Sequence, residues 1–449
     1  MSQSKFELDK QTLNDLSIYP DQIHKNSVLQ LFDNVITFGG QYKLKEIFDN
    51  PLIEVGAIQE RIDALQYLQQ ATFSFKLDKG ACDYIEHYLR QPDKPTTISK
   101  FRAVEKRVAY YFTGNSQYYT ISRGITYTLE LIAELLSFSR ITSNTLPKLL
   151  ISYQHQIKSI MEDEAFLFIH PLFNKQRLSA IDIARTDLLF RYKGFDKLKQ
   201  LLEITYLLDV FTAVSARAKL LNFSFPVINT TAIKQLKLQG LFHPFISNPV
   251  GNHIDFDSNS NVCFVTGANM AGKSTFLKSI GICVFLSQLG FPVPARYMET
   301  SGFQGLVTTI NVPDDIQQGN SHFYAEVSRV KYVAQQMSSN RNMLVIFDEL
   351  FRGTNVKDAY DASLAVIKAF AKIRSSFFVI STHIVEVAHE LKATENINFK
   401  FMETSFQNDK PQFSYQLKDG ITEERLGMWI VTNEGIVDII EKAAKDNGE

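Results

Sequence analysis

The sequence predicts a multidomain molecule, an all-α unit over residues 1–230 followed by an α/β phosphate-loop unit over residues 231–449. Three observations predict it. Apolar residues recur at helical spacing in the first half, as at Ile125, Leu129, Ile132 and Leu136. Near Pro226 the pattern changes to short β-prone runs separated by helical stretches, the alternation of a sheet covered by helices. Within that second half the run Gly267-Ala268-Asn269-Met270-Ala271-Gly272-Lys273-Ser274-Thr275 fits the pattern G-x-x-x-x-G-K-[ST].

The helical half is justified by its stripes. Glu130 and Glu134 lie off the 125–136 stripe, and a second stretch from about 195 to 221 carries Leu198, Leu201, Leu202, Ile204, Leu207, Leu208, Val210 and Phe211. Stripes of this kind are core rather than cofactor sites. Its breaks are local, at Gly39-Gly40, Pro51, Pro92 with Pro95, and Pro147. No catalytic motif falls within it. In the second half, strands are expected at 225–228, 261–266, 305–310, 343–347 and 377–381.

The phosphate-loop pattern gains weight from its setting. An apolar run, Val262 to Thr266, precedes it, and a helix-compatible run follows from Phe276. Glycines let the backbone turn its N–H groups toward phosphate oxygens, and the helix N-terminus adds a positive dipole end. Lys273 is expected to reach β- and γ-phosphates, and the Ser274 hydroxyl to ligate Mg²⁺. Leu344-Val345-Ile346-Phe347-Asp348-Glu349 is an apolar strand ending in two carboxylates. Asp348 is then placed to hold Mg²⁺ through water, and Glu349 to take a proton from an attacking water. His383 follows the apolar run 377–380 and is a candidate sensor of the γ-phosphate; a strand-end histidine bonded to a backbone carbonyl is the alternative. Ser321 and Glu326 suit the first turns of a further helix, where a serine hydroxyl also makes a good phosphate donor.

Bulk properties restrict the function classes. Of 449 residues, 45% are hydrophobic and 21% charged, the balance of a globular protein. A net charge of −1 gives no global field toward nucleic acid. Residues 90–200 nevertheless hold 17 Lys+Arg against 10 Asp+Glu. That surplus is either a phosphate-contacting surface or a solvated helical face. Cys82, Cys263 and Cys283 are far apart without C-x-x-C, which argues for a reducing compartment and against a zinc site. The first residues lack an apolar signal core and no apolar run reaches a membrane span, so the cytoplasm is the expected location.

Together these motifs resemble the MutS family of DNA mismatch-repair ATPases, within the ABC ATPase group. The resemblance rests on residues 267–275, with Asn269-Met270 as its most family-specific piece, and on 321–326. It also rests on Asp348-Glu349 with Arg352-Gly353-Thr354, on Ser381-Thr382-His383, and on His243-Pro244-Phe245-Ile246-Ser247-Asn248-Pro249. Upstream, Gln11-Thr12-Leu13, Pro51-Leu52-Ile53 and Glu60-Arg61-Ile62-Asp63-Ala64 resemble the start of the family's helical core, or lever, domain. The resemblance implies an ABC-type ATPase domain using ATP and Mg²⁺ in a homodimer. Ser321 would act in trans on the partner's nucleotide. Gly267, Asn269, Met270, Gly272, Lys273, Ser274 and Thr275 would hold phosphates, Phe245 would stack on adenine, and Tyr415 would stand near the base where the family usually has His. Residues 427–429 and the helix after them resemble the C-terminal dimerisation element.

The departures shape the functional expectation. Ala268 and Ala271 stand where the family usually has Pro and Gly, and Phe351 replaces a Gly beside Arg352. Against the family pattern, the N-terminal mismatch-reading and connector domains are expected to have no counterpart, the clamp insertion to be reduced or missing, and an appended nuclease domain is not expected. The expectation is a DNA-binding ATPase that reads double-stranded or branched DNA by backbone and shape, with other repair proteins as further partners. A nucleotide-switched scaffold that holds no DNA itself is the competing expectation, motivated by the near-zero net charge. A transporter ATPase fits poorly with the long helical half.

Overall fold

The computed structural model describes residues 5–21, 26–71, 75–92, 116–231, 234–310, 322–339, 342–407, 410–422 and 426–446. The chain divides into two compact units. One comprises Met1–Gln30, Pro51–Ile58 and Leu221–Glu449, the other Leu31–Asn50 and Gln59–Leu220. This differs from a single cut near residue 230, because two early segments belong with the C-terminal body.

Helices in chain order are α1 (Lys10–Asp15), α2 (Phe38–Asp49), α3 (Val55–Gln70), α4 (Lys79–Leu89), α5 (Ser116–Ser139), α6 (Lys148–Met161), α7 (Ala180–Leu188), α8 (Phe195–Leu220), α9 (Lys273–Gln288), α10 (His322–Ser339), α11 (Val356–Ala371), α12 (Val385–Leu391), α13 (Leu426–Asn433) and α14 (Ile436–Asp446). Strands are β1 (Val227–Ile228), β2 (Leu236–Leu241), β3 (Asn252–Phe256), β4 (Val262–Thr266), β5 (Tyr297–Thr300), β6 (Gly305–Thr309), β7 (Met343–Asp348), β8 (Phe377–Ser381), β9 (Ile397–Gln407) and β10 (Lys410–Asp419). No helix among the described residues is long and apolar enough to cross a membrane.

In the helical unit the expected stripe at 125–136 lies within α5, and the stretch from 195 forms α8. Polar residues fix the helix ends. Thr37 caps α2 by accepting from Gly40 N at 2.9 Å, and its hydroxyl donates to Asp209 of α8 at 2.7 Å. Ser179 and Asp182 form a reciprocal capping box on α7. A π-helical turn, Leu189–Lys193, follows α7 and carries Arg191. Arg191 donates twice to Asp187, at 2.6 and 2.6 Å, and Tyr88 adds a hydroxyl donor to the same carboxylate at 2.9 Å. This buried charge is thus fully paired, as burial demands.

The other unit holds two sheets. The larger has the order β10-β9-β4-β8-β7-β6, parallel from β9 to β6 with antiparallel β10 at one edge. Every residue of β4, β6, β7 and β8 is buried, which explains their continuous apolar reading. Phe264, Phe347, Phe378 and Ile380 pack in its core, each contributing about 1.5–3 kcal/mol by leaving water. The smaller sheet, β1-β5-β2-β3, has no counterpart in the expected strands apart from β1. Its signal was the alternation in β3, where Asn252, Ile254 and Phe256 are buried between exposed neighbours.

The N-terminal segment explains the extra membership of this unit. Glu7 bridges in parallel to Gly305 on the free edge of β6, donating to Gln304 O and accepting from Leu306 N, both at 2.9 Å. Asp15 of α1 accepts from the Thr308 hydroxyl at 2.7 Å and from Ile310 N at 2.9 Å. Asp9 pairs with Arg329 of α10.

Candidate functional site

The site grows from the turn between β4 and α9. Gly267 and Gly272 have φ of +140° and +101°, backbone that side-chain-bearing residues rarely adopt. A Cβ at Gly267 would stand 3.3 Å from Met402 N, and one at Gly272 would stand 3.2 Å from the Tyr415 ring. Both positions therefore require glycine. Met270 also turns left-handed at φ +71° and stays 76% exposed, as Asn269 beside it is exposed. Gly272 caps α9, which begins at Lys273.

Lys273 is buried, and its ammonium donates to the carbonyls of Gly267 at 2.7 Å and Ala268 at 3.0 Å. Burial drives its pKa below the ordinary lysine value, against the opposing pull of Glu349 and Asp348. Ser274 is exposed and Thr275 half-buried on the first turn. Turn N–H groups, a helix N-terminus and a cation at one place suit a phosphate.

Asp348 ends β7 in register with Ser381 at the end of β8. The Ser381 hydroxyl donates to Asp348 Oδ1, and the Ser381 carbonyl and Oγ accept from Glu349 N at 3.1 and 3.2 Å. Glu349 takes φ +57°, and its carboxylate lies 3.2 Å from the Arg352 guanidinium. His383, two residues past β8, is exposed. Parallel pairing of β4 with β8 and of β8 with β7 thus puts the ends carrying the turn, Asp348-Glu349 and His383 along one edge of the sheet. Ser321 lies outside the described residues.

Beside the turn is a cavity of about 360 Å³. Met270, Gly272, Thr275, His243, Ile246 and Tyr415 are among its walls. Phe245 is not; it is half-buried, with its ring edge-on to His243 at 5.6 Å. Burial, with Lys278 nearby, lowers the His243 pKa to about 4, and its Nδ1 is buried without a hydrogen-bond partner. Tyr415 reaches the cavity from an irregularity in β10 between Phe413 and Leu417, at φ +55°. Asn252 clips that irregularity by donating to Tyr415 O at 3.0 Å and accepting from Leu417 N at 2.7 Å. Asn252, His243 and Ile246 were not singled out as site residues by their chemistry, and only the heptapeptide 243–249 marked the neighbourhood.

Known proteins extend these observations. Residues 263–448 match the model of MutS domain V. The chain is 32% identical over 247 residues to the mouse protein named MutS protein homolog 4, covering 52% of this chain and 25% of that one. It is 29% identical to the human protein of the same name over 246 residues, again 52% of this chain and 25% of the relative. It is 27% identical over 253 residues to the DNA mismatch repair protein MutS of Petrotoga mobilis, 55% of this chain and 31% of the relative. The matched stretch therefore spans between a quarter and a third of the length of these curated relatives. Residues 263–448, which hold the turn, both carboxylates and the strand ends around them, are thus similar to domain V of the MutS family.

Proposed function

We propose that this protein binds ATP at the 267–275 turn, hydrolyses it in a homodimer, and couples that cycle to DNA. The observation that carries the reading is the buried Lys273 ammonium, held across its own loop beside the strand end that bears Asp348 and Glu349. Lys273 exchanges the two carbonyls for β- and γ-phosphate oxygens, with Gly267, Asn269, Met270, Gly272 and Thr275 shaping the cradle. The cavity lined by Tyr415, His243 and Ile246 receives the base, with Phe245 beside it. Ser274 and Asp348 present hard oxygen donors of the kind that suit Mg²⁺, an ion that neutralises charge on the transferred phosphoryl when bound.

Glu349 is the general base. It accepts a proton as the water oxygen bonds to the γ-phosphorus; the bond from that phosphorus to the β–γ bridging oxygen breaks, and ADP and inorganic phosphate separate. His383 faces the γ-phosphate, and Ser321 of a second copy completes the site in trans. α13 and α14 contribute to the dimer.

DNA contact is assigned to the helical unit. Its support is the basic surplus of residues 90–200, part of which lies outside the described residues, and a cleft of about 480 Å³ whose walls include Arg123, Lys175, Arg177, Tyr118 and Tyr119. The Petrotoga mobilis relative, named for DNA mismatch repair, points the same way.

The test is ATP hydrolysis by the full chain alone, with plain duplex, with mismatched duplex and with a branched junction, at low and high salt. Branched DNA is expected to stimulate turnover beyond plain duplex. Two phosphate contacts predict about a tenfold affinity loss over a fourfold rise in salt. Hydrolysis indifferent to every DNA would instead support a nucleotide-switched scaffold.

A further inference from the structure

The turn that carries Glu349 is fastened on both sides. On the β8 side, Ser381 holds Glu349 N. On the α10 side the attachment has two parts. The buried carboxylate of Glu326 accepts from two successive backbone donors, Arg352 N and Gly353 N, each at 3.2 Å. One residue earlier, the Phe351 ring is 3% exposed and packs edge-on against Phe323 at 5.7 Å. Phe323 and Glu326 are three residues apart on α10 and so share a face. That face grips residues 351, 352 and 353 in succession.

Phe351 makes this grip at φ +61°, where a bulky side chain is an outlier and glycine is at ease. Such a conformation persists only where the surroundings over-determine it, and it concentrates at functional sites. The ring belongs to the hydrophobic core of the sheet and there makes the contact with α10. Arg352, the next residue, completes the path with its guanidinium 3.2 Å from the Glu349 carboxylate.

We propose that Phe351 is a positioning residue, acting through Phe323 to hold the 349–353 turn against α10 and so fix the Glu349 carboxylate for its work on water. This rests on the reading of Glu349 as the general base. Phe351 touches no substrate; it governs kcat by geometry and leaves nucleotide affinity alone. Small displacements of a reacting group are costly, so a loose turn slows the chemical step without weakening the phosphate cradle.

The experiment compares Phe351→Gly, Phe351→Ala and Phe351→Leu in the full chain, reading kcat, KM for ATP, binding of a fluorescent ATP analogue, and melting temperature. Glycine and alanine are expected to lower kcat about 10- to 100-fold. Analogue affinity should hold within about twofold, the pattern of a lost transition-state interaction. Leucine, which keeps apolar bulk against Phe323, should restore most of the rate. Glycine relieves the backbone strain that alanine retains, so Phe351→Gly should melt above Phe351→Ala while being as slow. A purely structural role would make rate and melting temperature move together. Phe323→Leu and Glu326→Gln are expected to slow turnover as well, and they decide the matter if the Phe351 variants do not fold. A Phe351→Gly enzyme, or failing that a Phe323→Leu and Glu326→Gln pair, with parental kcat alongside an inactive Glu349→Gln would overturn the positioning role and leave Glu349 as base. A Glu349→Gln variant with parental turnover would overturn both.

Discussion

The helical unit and the Lys273 site of the other unit treat buried charge in opposite ways, and backbone strain divides between the units. In the helical unit the buried carboxylates are closed. Asp187 takes Nε and Nη2 of Arg191 and the Tyr88 hydroxyl, and Asp209 takes Thr37 N, the Thr37 hydroxyl and Ile36 N. In the other unit the Lys273 ammonium has only two carbonyls of its own loop for hydrogen-bond partners among the described residues. Strain divides the same way. Among the described residues every non-glycine with positive φ, from Ser17 to Tyr415, falls within Met1–Gln30 or Leu221–Glu449. Met270, Glu349, Phe351 and Tyr415 are neither Asn nor Asp, so local side-chain bonding does not ease them there. A scaffold spends its polar groups on itself, whereas a site keeps bonding capacity in reserve and tolerates conformations that a scaffold avoids.

Three tests break or sharpen that contrast. The largest effect is expected from Lys273→Ala. Losing two charge-assisted contacts to phosphate, at about 1.5–3 kcal/mol each, corresponds to a fall of about 100-fold or more in ATP affinity by calorimetry. Unchanged affinity would mean that the reserve cation is merely structural. Next is Arg191→Met, which strands the buried Asp187 charge and should cost about 3–5 kcal/mol in denaturant unfolding. Adding Asp187→Leu should recover much of it, because the charge then goes as well. A loss below about 1 kcal/mol would place this pair with exposed ion pairs and blur the contrast. Smallest is Met270→Gly. Its exposed side chain gives up little packing, and relief of left-handed strain should raise stability by up to about 1 kcal/mol, offset by glycine's freer unfolded state. A lower melting temperature would show that the Met270 conformation is not a local strain.

What was legible in the sequence was whatever depends on neighbours along the chain. Residues 267–275 carry their own geometry in their glycines, and β4, β7 and β8 announce themselves because both faces are buried. The helical stripes of α5 and α8 are equally local. The left-handed turns at Glu349, Phe351 and Tyr415 were not legible, since each is imposed by distant partners such as Ser381, Phe323 and Asn252. Nor was the place of residues 5–16 in the sheet-bearing unit, where the Thr12 hydroxyl donates locally to Asp9 but also accepts from Thr308 N across 296 residues. His243 and Ile246 escaped for a similar reason: their role as cavity walls depends on how the 243–249 loop lies beside Met270 and Tyr415.

The pairing of Glu7 with the β6 edge also sets a clock. An uncovered sheet edge is a template for strands of other chains, and here the covering segment is made long before the edge it covers. With 296 residues between Thr12 and its partner Thr308, synthesis takes about 15 s to a minute to bring the two onto the same chain. Through that interval the segment that seals the sheet waits without its mate.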